Sequence, residues 1–100
     1  MSLDLIKRIY NKLEEVIDPE LGISIVDLGL IYEVKVENET AHIIMTLTTL
    51  GCPLFHTIEE DINDKLKTIK EIKDTKIELV FDPPWSMDRM TEKAKAIMGI

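Results

Sequence analysis

The 100-residue chain is 45% hydrophobic and 31% charged, with a formal charge of −7. That length supports one core and one domain over residues 1–100, and the acidic balance excludes a general nucleic-acid binder, which needs a basic footprint. No apolar run approaches the roughly 18 residues of a membrane span, and one cysteine without a cationic-then-apolar leader predicts a reducing cytoplasm.

In chain order, apolar residues at Ile6, Ile9, Leu13 and Val16-Ile17 mark an amphipathic helix from about Leu3 to Ile17. It ends before Pro19, because proline pushes the preceding residue out of the helical region. Asp18-Pro19-Glu20-Leu21-Gly22 is a turn, and the segment from Ile23 to Leu28 follows neither period. Leu30, Tyr32, Val34 and Val36 then alternate with Ile31, Glu33, Lys35 and Glu37 as a first strand.

A short connection at Glu37-Asn38-Glu39-Thr40 leads into a second strand, where Ala41, Ile43, Met45 and Leu47 alternate with His42, Ile44, Thr46 and Thr48. The two strands are expected to form an antiparallel hairpin. A helix from Pro53 to near Ile69 or Ile72 carries Phe55, Ile58, Ile62 and Leu66, and Ile77, Leu79 and Phe81 mark a third strand. Asp82-Pro83-Pro84-Trp85-Ser86 ends that strand. A last helix over about Asp88–Met98 carries Met90, Ala94 and Ile97-Met98 on one face, with Gly99 as its C-cap.

The expected fold is therefore α+β: a single two-layer domain, α-β-β-α-β-α, with helices packed on one face of a three-stranded mixed sheet. A helical crossover makes the pairing of strands two and three parallel and right-handed.

Chemistry concentrates at Gly51-Cys52-Pro53. Pro53 suits a first helical position, so Cys52 is placed at the N-cap, facing unpaired backbone N–H groups and the positive end of the helix dipole. Both favour a thiolate, which attacks electrophiles or ligates a soft metal. The plainer alternative is a small buried apolar residue.

Cys52 also falls at the C-terminal end of a strand, where sites gather in sheets with helical crossovers. A parallel third strand ends on the same edge and brings Asp82 and Trp85 there. The first loop could add Asp18, Glu20 and Asp27, although turn stabilisation explains Asp18 and Asp27 equally well.

His56 and Glu60 follow Cys52 at four-residue steps, a spacing that fits a solvated His-Glu pair, metal ligation by His56, or a base for a nucleophilic cysteine. Trp85 is either a lid over the edge of the core or a partner anchor. Charge is uneven, with eight acids and one lysine from Glu14 to Glu39 against Lys65, Lys67, Lys70, Lys73 and Lys76. This distribution fits a docking surface or simply solvated faces.

Three ordered segments together resemble one family: Asp18-Pro19-Glu20 with Ile25-Val26-Asp27-Leu28-Gly29-Leu30-Ile31-Tyr32; Leu47-Thr48-Thr49-Leu50-Gly51-Cys52-Pro53; and Phe81-Asp82-Pro83-Pro84-Trp85. This is similar to the SufT and PaaD-like metal-sulfur cluster assembly factors, formerly a family of unknown function. The resemblance covers nearly the whole chain and implies the α-β-β-α-β-α fold and a role in maturing iron-sulfur proteins. It also implies that Cys52 is the functional cysteine, with Asp18, Glu20, Asp27 and Thr49 as its polar neighbours.

The leading expectation is an accessory or carrier protein that binds iron or an iron-sulfur cluster transiently and docks with iron-sulfur scaffold or target apoproteins, without turning over a small molecule. A cluster takes four protein ligands, mostly thiolates, so one cysteine implies sharing across a homodimer, sharing with a partner, or added carboxylate or histidine ligands. The rivals are a thiol enzyme with Cys52 as nucleophile and His56 as base, and an adaptor with no chemistry at the cysteine.

Overall fold

A hairpin organises the sheet in the computed structural model, which describes residues 3–19, 21–47 and 55–99. Strand β1, Ile31–Glu37, pairs antiparallel with β2, Thr40–Met45. Asn38 and Glu39 make the turn with φ of 49° and 65°, the two left-handed residues that a two-residue hairpin matching the strand twist requires. Asparagine tolerates this readily. Glu39 is held there by the Lys73 amide, which donates to its carbonyl at 2.8 Å, and by an ion pair with Lys73 at 3.5 Å.

Strand β3, Asp74–Leu79, pairs parallel with β2, and the sheet order is β1-β2-β3. The expected mixed sheet is therefore present. The alternation in β2 buries Ala41, Ile43 and Met45, while the β1 register shifts between Ile31 and Glu33. That bulge frees Tyr32 from strict alternation.

Helices α1, Leu3–Leu13, and α2, Phe55–Leu66, pack against each other and against β1 and β3 respectively. Ile9 and Leu13 of α1 meet Ile58, Ile62 and Leu66 of α2 in the core cluster. Across their ends, Arg8 donates to Glu71 from both terminal nitrogens, at 2.7 and 3.1 Å. The guanidinium hydrogen bond holds the Glu71 carboxyl below the usual carboxylate range.

Three expected boundaries move. α1 stops at Leu13 rather than Ile17, because Glu15 and Val16 switch to bonds from three residues back, a tightening common at helix ends. Val16 and Ile17 then extend. The Ile25 amide donates to the Val16 carbonyl at 3.0 Å, Asp18 N–H donates to the Ile23 carbonyl at 2.9 Å, and Ile17 bridges Ser24 as a small second sheet. α2 ends at Leu66, with Ile69 and Ile72 buried by successive turns instead.

The last helix is the third change. A 3₁₀ turn at Met87–Arg89 gives way to extended backbone at Met90 and Thr91 before α3, Glu92–Met98. Thr91 breaks the run because its side chain accepts from the Ala94 amide at 3.2 Å as the N-cap. Gly99 closes α3 at φ 76° as expected. Met90 and Ala94 are buried, but Ile97 and Met98 are 57% and 42% exposed, so the expected four-residue apolar face is only half used.

Candidate functional site

The segment that follows neither period, Ile23 to Leu28, proves to belong to a single helical turn that runs from Ser24 to Leu30 and takes in the expected start of the first strand. The Leu28 amide donates to the Ser24 carbonyl, Leu30 to Ile25 and Gly29 to Val26, at 2.9, 3.1 and 3.0 Å. The last two bonds, with Gly29 at φ 78°, form a Schellman closure. Its usual apolar contact is met by Ile25 and Leu30, both fully buried. Gly29 is required twice over, since a side chain there would also strike the Arg89 carbonyl oxygen.

This turn is the hub on which the other segments dock. The Trp85 ring N–H donates to the Leu28 carbonyl at 2.6 Å, and the Tyr32 hydroxyl donates to the Pro83 carbonyl at 2.6 Å. The Arg89 guanidinium stacks 4.5 Å above the Tyr32 ring. The first and third motif segments are thus fastened together, and Trp85 acts as the lid over the core edge. The second segment starts beside them: the Thr46 amide donates to the Leu30 carbonyl at 2.9 Å, and Leu47 is buried.

Strands β2 and β3 end together, with Met45 opposite Leu79 and the Val80 amide donating to the Met45 carbonyl at 2.8 Å. The chain leaves this edge after Leu47 and is described again from Phe55, which opens α2. Cys52, Thr49 and Glu20 lie outside the described residues. The expectations that Cys52 caps α2 and that Thr49 and Glu20 are its neighbours therefore rest on the sequence alone.

Of the predicted residues that are described, Asp18 and Asp27 make structural contacts. Asp18 is 6% exposed and accepts from the Leu21 amide at 3.2 Å, while its carbonyl accepts from Gly22 at 2.8 Å. It shapes the turn, the plainer of its two readings. Asp27 fastens α3 to the hub: its carboxylate accepts from the Thr91 hydroxyl at 3.3 Å and lies 3.8 Å from the Lys93 ammonium, and its carbonyl accepts from the Thr91 amide at 2.9 Å.

His56 faces water with its side chain 77% exposed, 2.7 Å from Glu60 and 3.8 Å from Glu59. This is the solvated pair. Among the described residues, no three His, Cys, Asp or Glu side chains are grouped to hold a metal ion. Asp82 is exposed beyond β3.

Sequence reasoning passed over Thr46. Its side chain is fully buried, and among the described residues Oγ1 has no hydrogen-bond partner. Alternation alone places it with His42 and Ile44 on the half-exposed face, so only its position where the chain leaves the sheet marks it. The charge segregation is also partly offset in three dimensions. Lys65 meets Glu15 at 4.0 Å and Lys73 meets Glu39 at 3.5 Å, so two of the five lysines answer acids of the same molecule.

The profile described as "iron-sulfur cluster assembly protein" matches residues 6–79. The chain is 44% identical to the Fe-S protein maturation auxiliary factor YitW of Bacillus subtilis, covering 100% of this chain and 99% of the relative. It is 46% identical to the Fe-S protein maturation auxiliary factor SufT of Staphylococcus aureus, over 85% of this chain and 98% of the relative. A crystal structure of a domain of unknown function from Bacillus anthracis superposes with a TM-score of 0.88 at 45% identity, covering 94% of this chain and 91% of that one.

Proposed function

The chain belongs to the iron-sulfur cluster assembly protein family, and from that footing we propose that it is an accessory or carrier protein in the maturation of iron-sulfur proteins, holding its cargo transiently through Cys52 while a partner supplies most of the ligands. What supports this reading is the family match over residues 6–79, together with the finding that among the described residues no three His, Cys, Asp or Glu side chains are grouped to hold a metal ion. Asp18 is tied into its turn, Asp27 to α3 and His56 to Glu60. A cluster with four ligands, mostly thiolate, is then completed from outside the chain, and such shared ligation suits delivery, because a second thiolate on the recipient can displace the first.

Two relatives carry the name of Fe-S protein maturation auxiliary factor, which supports iron-sulfur scaffold or target apoproteins as the partners. The working unit is residues 1–100, and a reducing cytoplasm keeps its lone thiol available. Cys52 acts at the helix entry proposed from the sequence, where backbone N–H groups and the helix dipole favour its thiolate. Glu20 and Thr49 are its proposed polar neighbours.

Anaerobic reconstitution with iron and sulfide in the presence of a recipient apoprotein tests the assignment. The visible absorbance of a cluster should form with the wild type and fail with Cys52→Ala. A colourless wild type whose Cys52 instead turns over an electrophilic substrate would establish the thiol enzyme in its place.

A further inference from the structure

β3 is the last strand on its side of the sheet, and no described residue pairs with its outer edge. The Asp74 amide points to the Glu39 carbonyl and the Val80 amide to the Met45 carbonyl, at 3.4 and 2.8 Å. Strand alternation therefore turns the N–H and C=O groups of Thr75, Ile77 and Leu79 to the open edge. An unpaired edge is a template for another strand, and natural proteins blunt it with charged side chains, proline or a bulge. β1 is blunted in this way: its register is broken between Ile31 and Glu33, and Tyr32 is engaged by Pro83. β3 pairs with β2 in unbroken register over its whole length.

The side chains of β3 also alternate in sign. Asp74, Lys76 and Glu78 are exposed on the outer face, and Thr75, Ile77 and Leu79 are half-buried on the core side. A strand with this pattern complements its own reverse in some registers and repels it in others. Centring an antiparallel pair on Lys76 opposes Lys76 to Lys76 and Asp74 to Glu78, which is unfavourable. Centring it on Thr75 satisfies the charges but sets Ile77 against Lys73. Centring it on Ile77 opposes Lys76 to Glu78 twice, Ile77 to Ile77 and Thr75 to Leu79 twice, and leaves Asp74 opposite Val80, past the end of the strand.

We propose that this edge is a homodimer interface, in which β3 pairs antiparallel with β3 of a second copy about a two-fold axis at Ile77. The contact is isologous and closes on itself. It joins two three-stranded sheets into one of six strands and satisfies the outward backbone groups of Thr75, Ile77 and Leu79. The antiparallel dyad sends the C-terminal ends of the two β2 strands to opposite ends of that sheet. The two Leu47 residues, the last described ones after β2, therefore lie toward opposite ends of the joined sheet. The interface stands independently of the cargo reading.

Sedimentation velocity under reducing conditions, which exclude a disulfide dimer, tests it. The wild type should sediment as a dimer. Lys76→Glu and Glu78→Lys should each be monomeric, because each places like charges opposite one another twice. Mixing the two variants should restore a dimer, now a heterodimer, since the acids at positions 76 and 78 of one β3 then oppose the lysines at positions 78 and 76 of the other. Far-UV circular dichroism confirms that each variant is folded. A wild type that remains monomeric at the highest concentration reached, a dimer that survives both charge reversals, or folded variants that do not combine on mixing would each overturn the proposal.

Discussion

At the residue scale the proposed function rests on Cys52. The argument for its acidity is electrostatic: the positive end of a helix stabilises the charged form of a side chain at its entrance. Its alkylation by iodoacetamide should accordingly reach half-maximal rate below the free-cysteine value of about 8.5; a midpoint at or above that value removes the thiolate from the account. Thr46 makes the opposite kind of claim. Its buried Oγ1 has no partner among the described residues, and an unsatisfied buried hydroxyl costs stability, whereas an apolar group of the same shape does not. Thr46→Val should stabilise the protein by roughly 1 kcal/mol in urea unfolding, and a loss of stability would show that the hydroxyl is satisfied in solution.

Side-chain type indicated which residues carry chemistry more readily than what occupies them. Aspartate in a Pro-Gly turn and aspartate ahead of a glycine fit either a cation site or a local scaffold. The contacts that make Asp27 part of a scaffold come from partners distant in sequence, Thr91 and Lys93, which no local pattern displays.

At the scale of elements, periodicity located every strand and helix that buries a regular face, since a period of 2 or 3.6 is the imprint of one-sided burial. It failed where burial is not periodic. The turn from Ser24 to Leu30 buries Ile25, Leu28 and Leu30 through one helical turn, too short for a stripe to develop. Its signature was the glycine at 29 followed by an apolar residue, which marks a Schellman end rather than a strand start. The split of the last helix had a similarly local cause in Thr91, whose hydroxyl is worth more at a cap than inside a helix.

The link between α1 and the segment after α2 is an exposed, bidentate Arg8–Glu71 pair, with side chains 41% and 52% exposed. Because folding lowers the pKa of Glu71 relative to the unfolded chain, the pair contributes stability above the ordinary glutamate range. That contribution fades as pH falls through the lowered folded value. Arg8→Gln should therefore melt below the wild type at neutral pH, with the difference closing below about pH 4. Thermal melts across pH read this directly, and a gap that widens in acid would contradict the assignment.

For the whole molecule, the topology matters more than any pocket. The parallel pairing of β2 and β3 brings two strand ends to one edge, and the hub at residues 24–30 gathers the Trp85 segment and the start of the Leu47 segment beside it. No helix is long and apolar enough to cross a membrane among the described residues. The central claim is that cargo is shared: one thiolate from this chain and the remaining ligands from another protein. The direct measurement is anaerobic size exclusion with iron and sulfide detection, run on this protein alone and mixed with a recipient apoprotein. Iron and sulfide should co-elute with the mixed complex and vanish from it with Cys52→Ala; stoichiometric iron and sulfide eluting with this protein alone, as monomer or dimer, would contradict the account.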